Sequence, residues 1–129
     1  MPFKKNVQKF NASVTEVVIG TGDNAVVLGG ENVYPLYCFD EPIKNPPCVG
    51  IEISDLGPDR SLPGIAAFYQ GAENITELVS RACENSGADF VSLVLEGADP
   101  NGENLSVEDC VAVCREAAGA ATLPLVIQG

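Results

Sequence analysis

Apolar residues change their period along this chain, and the changes mark its elements. Ile75, Leu78, Val79, Ala82 and Cys83 recur at i, i+3, i+4, i+7 and i+8, the stripe of an amphipathic helix. Asn74 with Glu77 reads as its capping box and Gly87 as its stop. A second helix is predicted from a Ser106 and Asp109 capping box to Gly119, with Val107, Cys110, Val111, Cys114 and Ala118 along one stripe. Three short apolar runs of strand length lie around these helices, at residues 48–53, 90–95 and 123–127, the last entered through Pro124. In the first run, alternation sends Glu52 to the face opposite Ile51 and Ile53.

Nearer the start, residues 14–19 and 25–28 are β-rich runs joined by Gly20, Thr21, Gly22, Asp23 and Asn24, which supply the positive-φ positions of a turn. An antiparallel hairpin is expected there, broken off by Gly29 and Gly30. Residues 31–47, with Pro35, Pro42, Pro46 and Pro47, are too rich in proline for a helix or central strand and are expected to wrap across the fold as an ordered crossing segment. Residues 54–72 form a long connection carrying Asp55, Asp59, Arg60 and the aromatic pair Phe68 and Tyr69. Connections of that length are commonly functional.

Apolar strands separated by amphipathic helices imply a parallel sheet covered by helices. The strand starts are spaced close to the ~30 residues per repeat of an eight-fold barrel of ~250 residues. The expected fold is therefore α/β: an N-terminal β-hairpin followed by the first three strands of a TIM (β/α)8 barrel, truncated. Residues 1–12 are expected to be a tail and residues 13–129 the N-terminal part of a single barrel domain. The end directly after an apolar strand, at Gln128 and Gly129, favours truncation.

Charge narrows the partners. Eighteen acidic against seven basic residues give a net charge of −11, and Lys4, Lys5 and Lys9 hold three of the positive charges in the leading tail. A phosphate backbone or an anionic membrane is a poor match for such a chain. No apolar run approaches the ~20 residues that span a bilayer, and the start lacks the apolar core of a signal peptide. A cytoplasmic protein is expected. The five cysteines, Cys38, Cys48, Cys83, Cys110 and Cys114, are odd in number and sit in apolar segments, so reduced thiols fit better than a disulfide framework. Cys110 and Cys114 stand one helical turn apart and could share a metal, but their apolar stripe makes them core residues.

With no histidine in the chain, Ser–His and Cys–His nucleophiles, histidine–zinc sites and a histidine ligand to cobalt or haem are all excluded. Gly20 with Gly22 and Gly29 with Gly30 open no helix and precede no Lys-Ser/Thr pair, so they are turn glycines, not a phosphate loop. Asn74-Ile75-Thr76 has the spacing of a glycosylation acceptor, which a cytoplasmic chain uses as a helix cap. The remaining polar groups fall just beyond the expected strands: Glu52, Ser54 and Asp55 after the first, Glu96, Asp99 and Asn101 after the second, and Gln128 after the third. That edge of a parallel sheet is where ligands bind. Each residue also has a bland role, since Asp99, Pro100, Asn101 and Gly102 make an ordinary turn sequence.

The order of segments carries a resemblance. The run VVIGTG from Val17, LGGE from Leu28, PLYCFDEPIKNPPCVGIEISD from Pro35 to Asp55, GADFV from Gly87, EGADPNGEN from Glu96 to Asn104, Ser106 with Val107, and PLV from Pro124 together resemble the small (delta) subunit of the corrinoid iron–sulfur protein. That subunit belongs to the carbon monoxide dehydrogenase/acetyl-CoA synthase system. Glu96 stands where the family pattern has Asp, and residues 55–72 differ from its tryptophan-containing stretch.

The resemblance implies a TIM barrel paired as a heterodimer with a large subunit that carries an iron–sulfur cluster, the two holding a corrinoid (cobalamin) between them. It further implies a methyl group accepted from a methyl-tetrahydropterin through a methyltransferase and passed to acetyl-CoA synthase, in the reductive acetyl-CoA pathway. The chain would then act as a non-autonomous subunit, with Asp99, Asn101, Glu96, Asp55 and Gln128 as cofactor-binding candidates and no catalytic or metal-binding residue of its own. The residues also admit two other readings: a pterin-binding barrel methyltransferase with Asp99 and Asn101 on the pterin ring, and a non-catalytic assembly module joined through an open sheet edge.

Overall fold

The computed structural model describes residues 12–31 and 43–129, which belong to two compact units: Met1–Val18 with Val27–Pro47, and Ile19–Val26 with Cys48–Gly129. Lys4, Lys5 and Lys9 of the tail, and Pro35, Cys38 and Pro42 of the proline-rich segment, lie outside the described residues.

Strands β1 (Val17–Ile19) and β2 (Val26–Leu28) form a two-stranded sheet. The chain reverses between them at Gly20 and Gly22, whose φ values of 81° and 63° favour glycine. Further along, Val14 N–H donates to the Glu31 carbonyl at 2.9 Å and the Val14 carbonyl accepts from Gly30 N–H at 2.8 Å, so the two arms run antiparallel, as the sequence predicts. Within the first unit, Asn45 ties the segments together, its side chain donating to the Gly29 carbonyl at 2.6 Å and to Glu16 at 3.2 Å. The Lys44 ammonium pairs with Glu16 and, with Asn45, holds that carboxyl below its ordinary range.

The second unit contains a parallel sheet in the order β3 (Gly50–Ser54), β4 (Phe90–Val94), β5 (Leu125–Gln128). Helix α2 (Ile75–Asn85) leads from β3 to β4 and α3 (Val107–Ala120) from β4 to β5, giving the mixed α/β architecture. Strand alternation splits the sheet in two. Ile53, Val91 and Leu93 join Leu78, Val79, Ala82 and Ala117 from the helices in one buried cluster. On the other face, register places Glu52 beside Ser92 and Ser92 beside Val126. No described helix is long and apolar enough to cross a membrane.

Three local features depart from expectation. Residues 54–72 contain a short helix, α1 (Pro63–Phe68), with proline in its first turn and Ile65 and Phe68 on the core side. Its carbonyl end is closed by arginines: Arg81 donates to the Phe68 carbonyl at 3.2 Å, while Arg60 donates to the Tyr69 carbonyl at 3.3 Å and to that of Ala72. Cations at a helix C-terminus satisfy its last carbonyls. Ser106 caps α3 by accepting from Asp109 N–H at 3.1 Å, but Asp109 answers on the Ser106 hydroxyl at 2.7 Å. Aspartate is one methylene shorter than the glutamate that completes a full box, as Glu77 does on α2. Finally, Gly119 does not stop α3, which runs to Ala120; Ala121 turns extended at ψ 123°, ahead of Pro124, which has no N–H to continue a helix.

Candidate functional site

Because β3, β4 and β5 run parallel, their carboxyl ends share one edge, and the loops there carry most of the residues singled out from the sequence. The Asp55 N–H continues the sheet by donating to the Val94 carbonyl at 3.0 Å, which fixes the start of its loop. Its carboxylate then accepts from Gly97 N–H with both oxygens, at 3.1 and 3.2 Å. Alongside, the Ser54 hydroxyl donates to Glu96 and accepts from Leu56 N–H at 3.2 Å. A clasp of two adjacent residue pairs thus binds the loop after β3 to the loop after β4. Space at its centre is tight: a Cβ on Gly97 would lie 2.5 Å from Leu105 Cδ1 and 2.9 Å from Asp55 Oδ2, so a larger residue there would have to displace both side chains.

Asp99 and Asn101 stand in the same loop but bond to each other. Asp99 Oδ1 accepts from Asn101 N–H at 2.8 Å and from its side-chain amide at 3.2 Å, and the Asp99 carbonyl accepts from Gly102 and Asn104 N–H at 3.0 and 3.1 Å. Both side chains are exposed, and the turn presents them outward. Gln128, at the end of β5, donates to the hydroxyl of Ser92. The structure therefore groups Asp55 with Glu96, Asp99 with Asn101, and Gln128 with Ser92; among the described residues no side-chain hydrogen bond joins one group to another. Ser92 was missed in the sequence, although a serine within the apolar run FVSLV, two residues from either strand end, is the signal of a polar position on an otherwise apolar strand.

Tyr69 was also missed as a site residue. A cavity of about 270 Å³ at the carboxyl end of β3 is bounded by Glu52, Ser54, Asp59, Ile65, Tyr69 and Glu96, among others. Tyr69 is held by the arginine contacts to its neighbours and by an edge-on contact with Phe68, ring centres 4.7 Å apart. It is 6% exposed, and its hydroxyl is buried without a hydrogen-bond partner. Burial pushes the phenol pKa up, so the group stays neutral. Asp59 is the opposite case, its carboxyl held below the ordinary range by the Ser61 hydroxyl and by Ser61 N–H, which donates at 2.9 Å.

Metal ligation has little support among the described residues, where no group of three or more histidine, cysteine, aspartate or glutamate side chains could hold an ion. Cys110 is buried and Cys114 half-buried against the core, but Val107, Val111 and Ala118 of the expected stripe are exposed, the core side of α3 being carried instead by Val113, Cys114, Ala117 and Ala120.

A parallel β–α sheet with its polar loops gathered at the strand carboxyl ends defines an α/β protein of the kind that binds ligands or partners along that edge. Residues 16–129 match the family model of the CO dehydrogenase/acetyl-CoA synthase delta subunit, and the chain belongs to that family. Among similar proteins are acetyl-CoA decarbonylase/synthase complex subunits delta. The one from Methanothermobacter thermautotrophicus is 30% identical over 98% of this chain and 33% of that protein. The one from Methanopyrus kandleri is 30% identical over 85% of this chain and 27% of that protein. The one from Archaeoglobus fulgidus is 25% identical over 98% of this chain and 30% of that protein. The chain thus spans about a third, or less, of the length of the curated relatives it matches. The delta-subunit resemblance read from the segment order is borne out.

Proposed function

We propose that the chain is the leading part of the small subunit of a corrinoid methyl carrier, which accepts a methyl group from a methyl-tetrahydropterin and hands it to acetyl-CoA synthase. The observation that carries this reading is the family match across residues 16–129, together with the clasped polar loops at the strand ends. In this reading β3, β4 and β5 begin a TIM barrel whose other strands come from the length of the relatives that this chain does not cover. The partner is a large subunit that bears the iron–sulfur cluster and shares the corrinoid.

The residues at the edge fit a corrinoid held by its rim. The exposed groups of Glu96, Asp99, Asn101 and Gln128 are carboxylates and amides, partners for the amide side chains around a corrin. Neither an imidazole nor a thiol lies at the described strand ends to bind cobalt, since Cys83, Cys110 and Cys114 are on helices and Cys48 precedes β3. When bound, a corrinoid supplies the cobalt that takes up and releases the methyl group. This chain's part is to hold the loops rigid through Asp55 and Gly97, orient polar groups toward the rim, and keep water from that face. The test is co-expression of the full-length protein with a cluster-bearing large subunit, followed by a visible spectrum of the purified complex with added cobalamin. Corrinoid absorbance that requires both chains, and that Asp99→Ala with Asn101→Ala lowers, is the expected outcome; a complex without corrinoid, or one indifferent to both substitutions, would overturn the assignment.

A further inference from the structure

Helix α3 has two apolar flanks, and only one of them is covered. Ala117, fully buried, marks the side that faces the core, with Val113 and Ala120 beside it. At 3.6 residues per turn, Val107, Val111 and Ala118 stand together about 100° round the helix from Ala117. All three are exposed, Val107 by 75%. This bare flank also has a floor. Register pairs Ile127 with Leu93, so both belong to the face of the sheet that carries the helices, yet Leu93 is 0% exposed and Ile127 51%. Helix α3 therefore covers β4 and leaves part of β5 bare. Towards the amino end of β5, Ala118 and Leu125 both line a cavity of about 270 Å³, so α3 and β5 are not closed against each other there either.

Handedness fixes where the bare flank points. Parallel β–α–β units cross over right-handedly, so α2 lies on the β3 side of α3. The right-handed turn of α3, which runs antiparallel to the strands, then directs Val107, Val111 and Ala118 to the opposite side, above β5 and Ile127. Strand β5 is the last of that sheet among the described residues. We infer that the groove formed by Val107, Val111, Ala118 and Ile127 is the seat of a further α-helix of the same polypeptide, packed along α3. With Cys114 between Val111 and Ala118, the stripe advances by four, three and four residues, the seam by which one helix receives another at a shallow angle. A helix from the same chain is the occupant because most of each relative's length lies outside the part that this chain covers, and each new β–α repeat sets its helix beside the last. The inference rests on the barrel reading proposed above and uses neither the corrinoid nor the large subunit.

Cysteine accessibility in the full-length protein tests this seat. Val111→Cys and Ala118→Cys, two turns apart on the stripe, are compared with Ala112→Cys, which is exposed on another flank of α3. Each variant is treated with N-ethylmaleimide in the absence of corrinoid and large subunit, and labelling is assigned residue by residue by mass spectrometry. The buried native Cys110 reports on folding by staying unlabelled, and Val107→Cys replaces either stripe variant in which Cys110 reacts. Labelling at Val111→Cys and Ala118→Cys about tenfold slower than at Ala112→Cys, at a rate independent of protein concentration, is expected. Equal rates at all three positions, or protection of one stripe position alone, would overturn the inference. So would protection that grows with protein concentration, as a second copy of the chain would give, or that appears only when the large subunit is added. The corrinoid spectrum of the complex is a separate readout: corrinoid bound while the stripe stays reactive would sink the helix seat and leave the methyl-carrier reading standing, and a protected stripe without corrinoid would do the reverse.

Discussion

The two faces of the β3, β4, β5 sheet are built from alternate residues of the same strands, yet they do different work. Ile53, Val91 and Leu93 look toward α2 and α3 and are sealed among apolar side chains. One position along, Glu52 is exposed, and Ser92, though only 6% exposed, is a hydroxyl bonded to Gln128. Free energy of folding is concentrated on the first face by burial of apolar area, while the second keeps polar groups that contribute little to stability and are available for recognition. A strand period of two lets one short sequence serve both ends, since neighbouring residues never compete for the same environment.

The largest expected effect tests that division directly. Leu93 is fully buried, so Leu93→Ala removes apolar contacts and leaves a cavity, at a cost of about 3 kcal/mol. The adjacent substitution, Ser92→Ala, deletes one hydrogen bond to a side chain that water can reach and is expected to cost less than ~1 kcal/mol. Chemical denaturation of the two full-length variants makes the comparison, and equal losses would show that the second face is also part of the stabilising core.

A middle-sized effect is expected where the faces meet at the strand ends. Asp55→Ala leaves Gly97 N–H without its carboxylate and should destabilise by about 1–2 kcal/mol, the value of a part-buried bond to a charged group. Its signature is local: amide exchange at Gly97 should accelerate far more than exchange in the centre of β4. Uniform acceleration throughout the sheet would mean that Asp55 serves the core and not the loops.

Much of this was legible in the residues. The stripe of α2 and the apolar runs of the three parallel strands show plainly because period and burial agree there, whereas the stripe expected on α3 kept Cys110 and Cys114 but not Val107, Val111 and Ala118, which are exposed, because small residues such as Ala117 and Ala120 mark its core side. What stayed hidden depended on contacts remote in sequence. Helix α1 has only six residues and is finished by Arg60 and Arg81, whose roles no local pattern reveals. The Gly119 stop failed because glycine permits a left-handed turn without requiring one. At the site, the strand-end carboxylates could be named, but not their sorting. Asp55 reaches across 42 positions to Gly97, whereas Asp99 turns back on Asn101, two residues away.

The smallest expected effect concerns the cap of the helix that covers the apolar face. Asn74 accepts from Glu77 N–H at 2.9 Å, and Asn74→Ala should cost about 1 kcal/mol. Glu77 completes the box, accepting from Glu73 N–H at 2.7 Å and Asn74 N–H at 3.4 Å; the bond from Glu73 is the main reason its carboxyl lies below the ordinary value of 4.5. A carboxyl lowered by folding adds stability that is complete above its unfolded value and disappears as the pH falls through its folded one. The stability gap between wild type and Glu77→Gln should therefore be present at neutral pH and close progressively below pH 4.5. A gap that persisted at low pH would place the effect in the glutamate's shape and not its charge. Because this cap meets neither the polar face nor the clasp at Asp55, the closing should leave the exchange rate of the Gly97 amide, relative to Asp55→Ala, unaltered between wild type and Glu77→Gln.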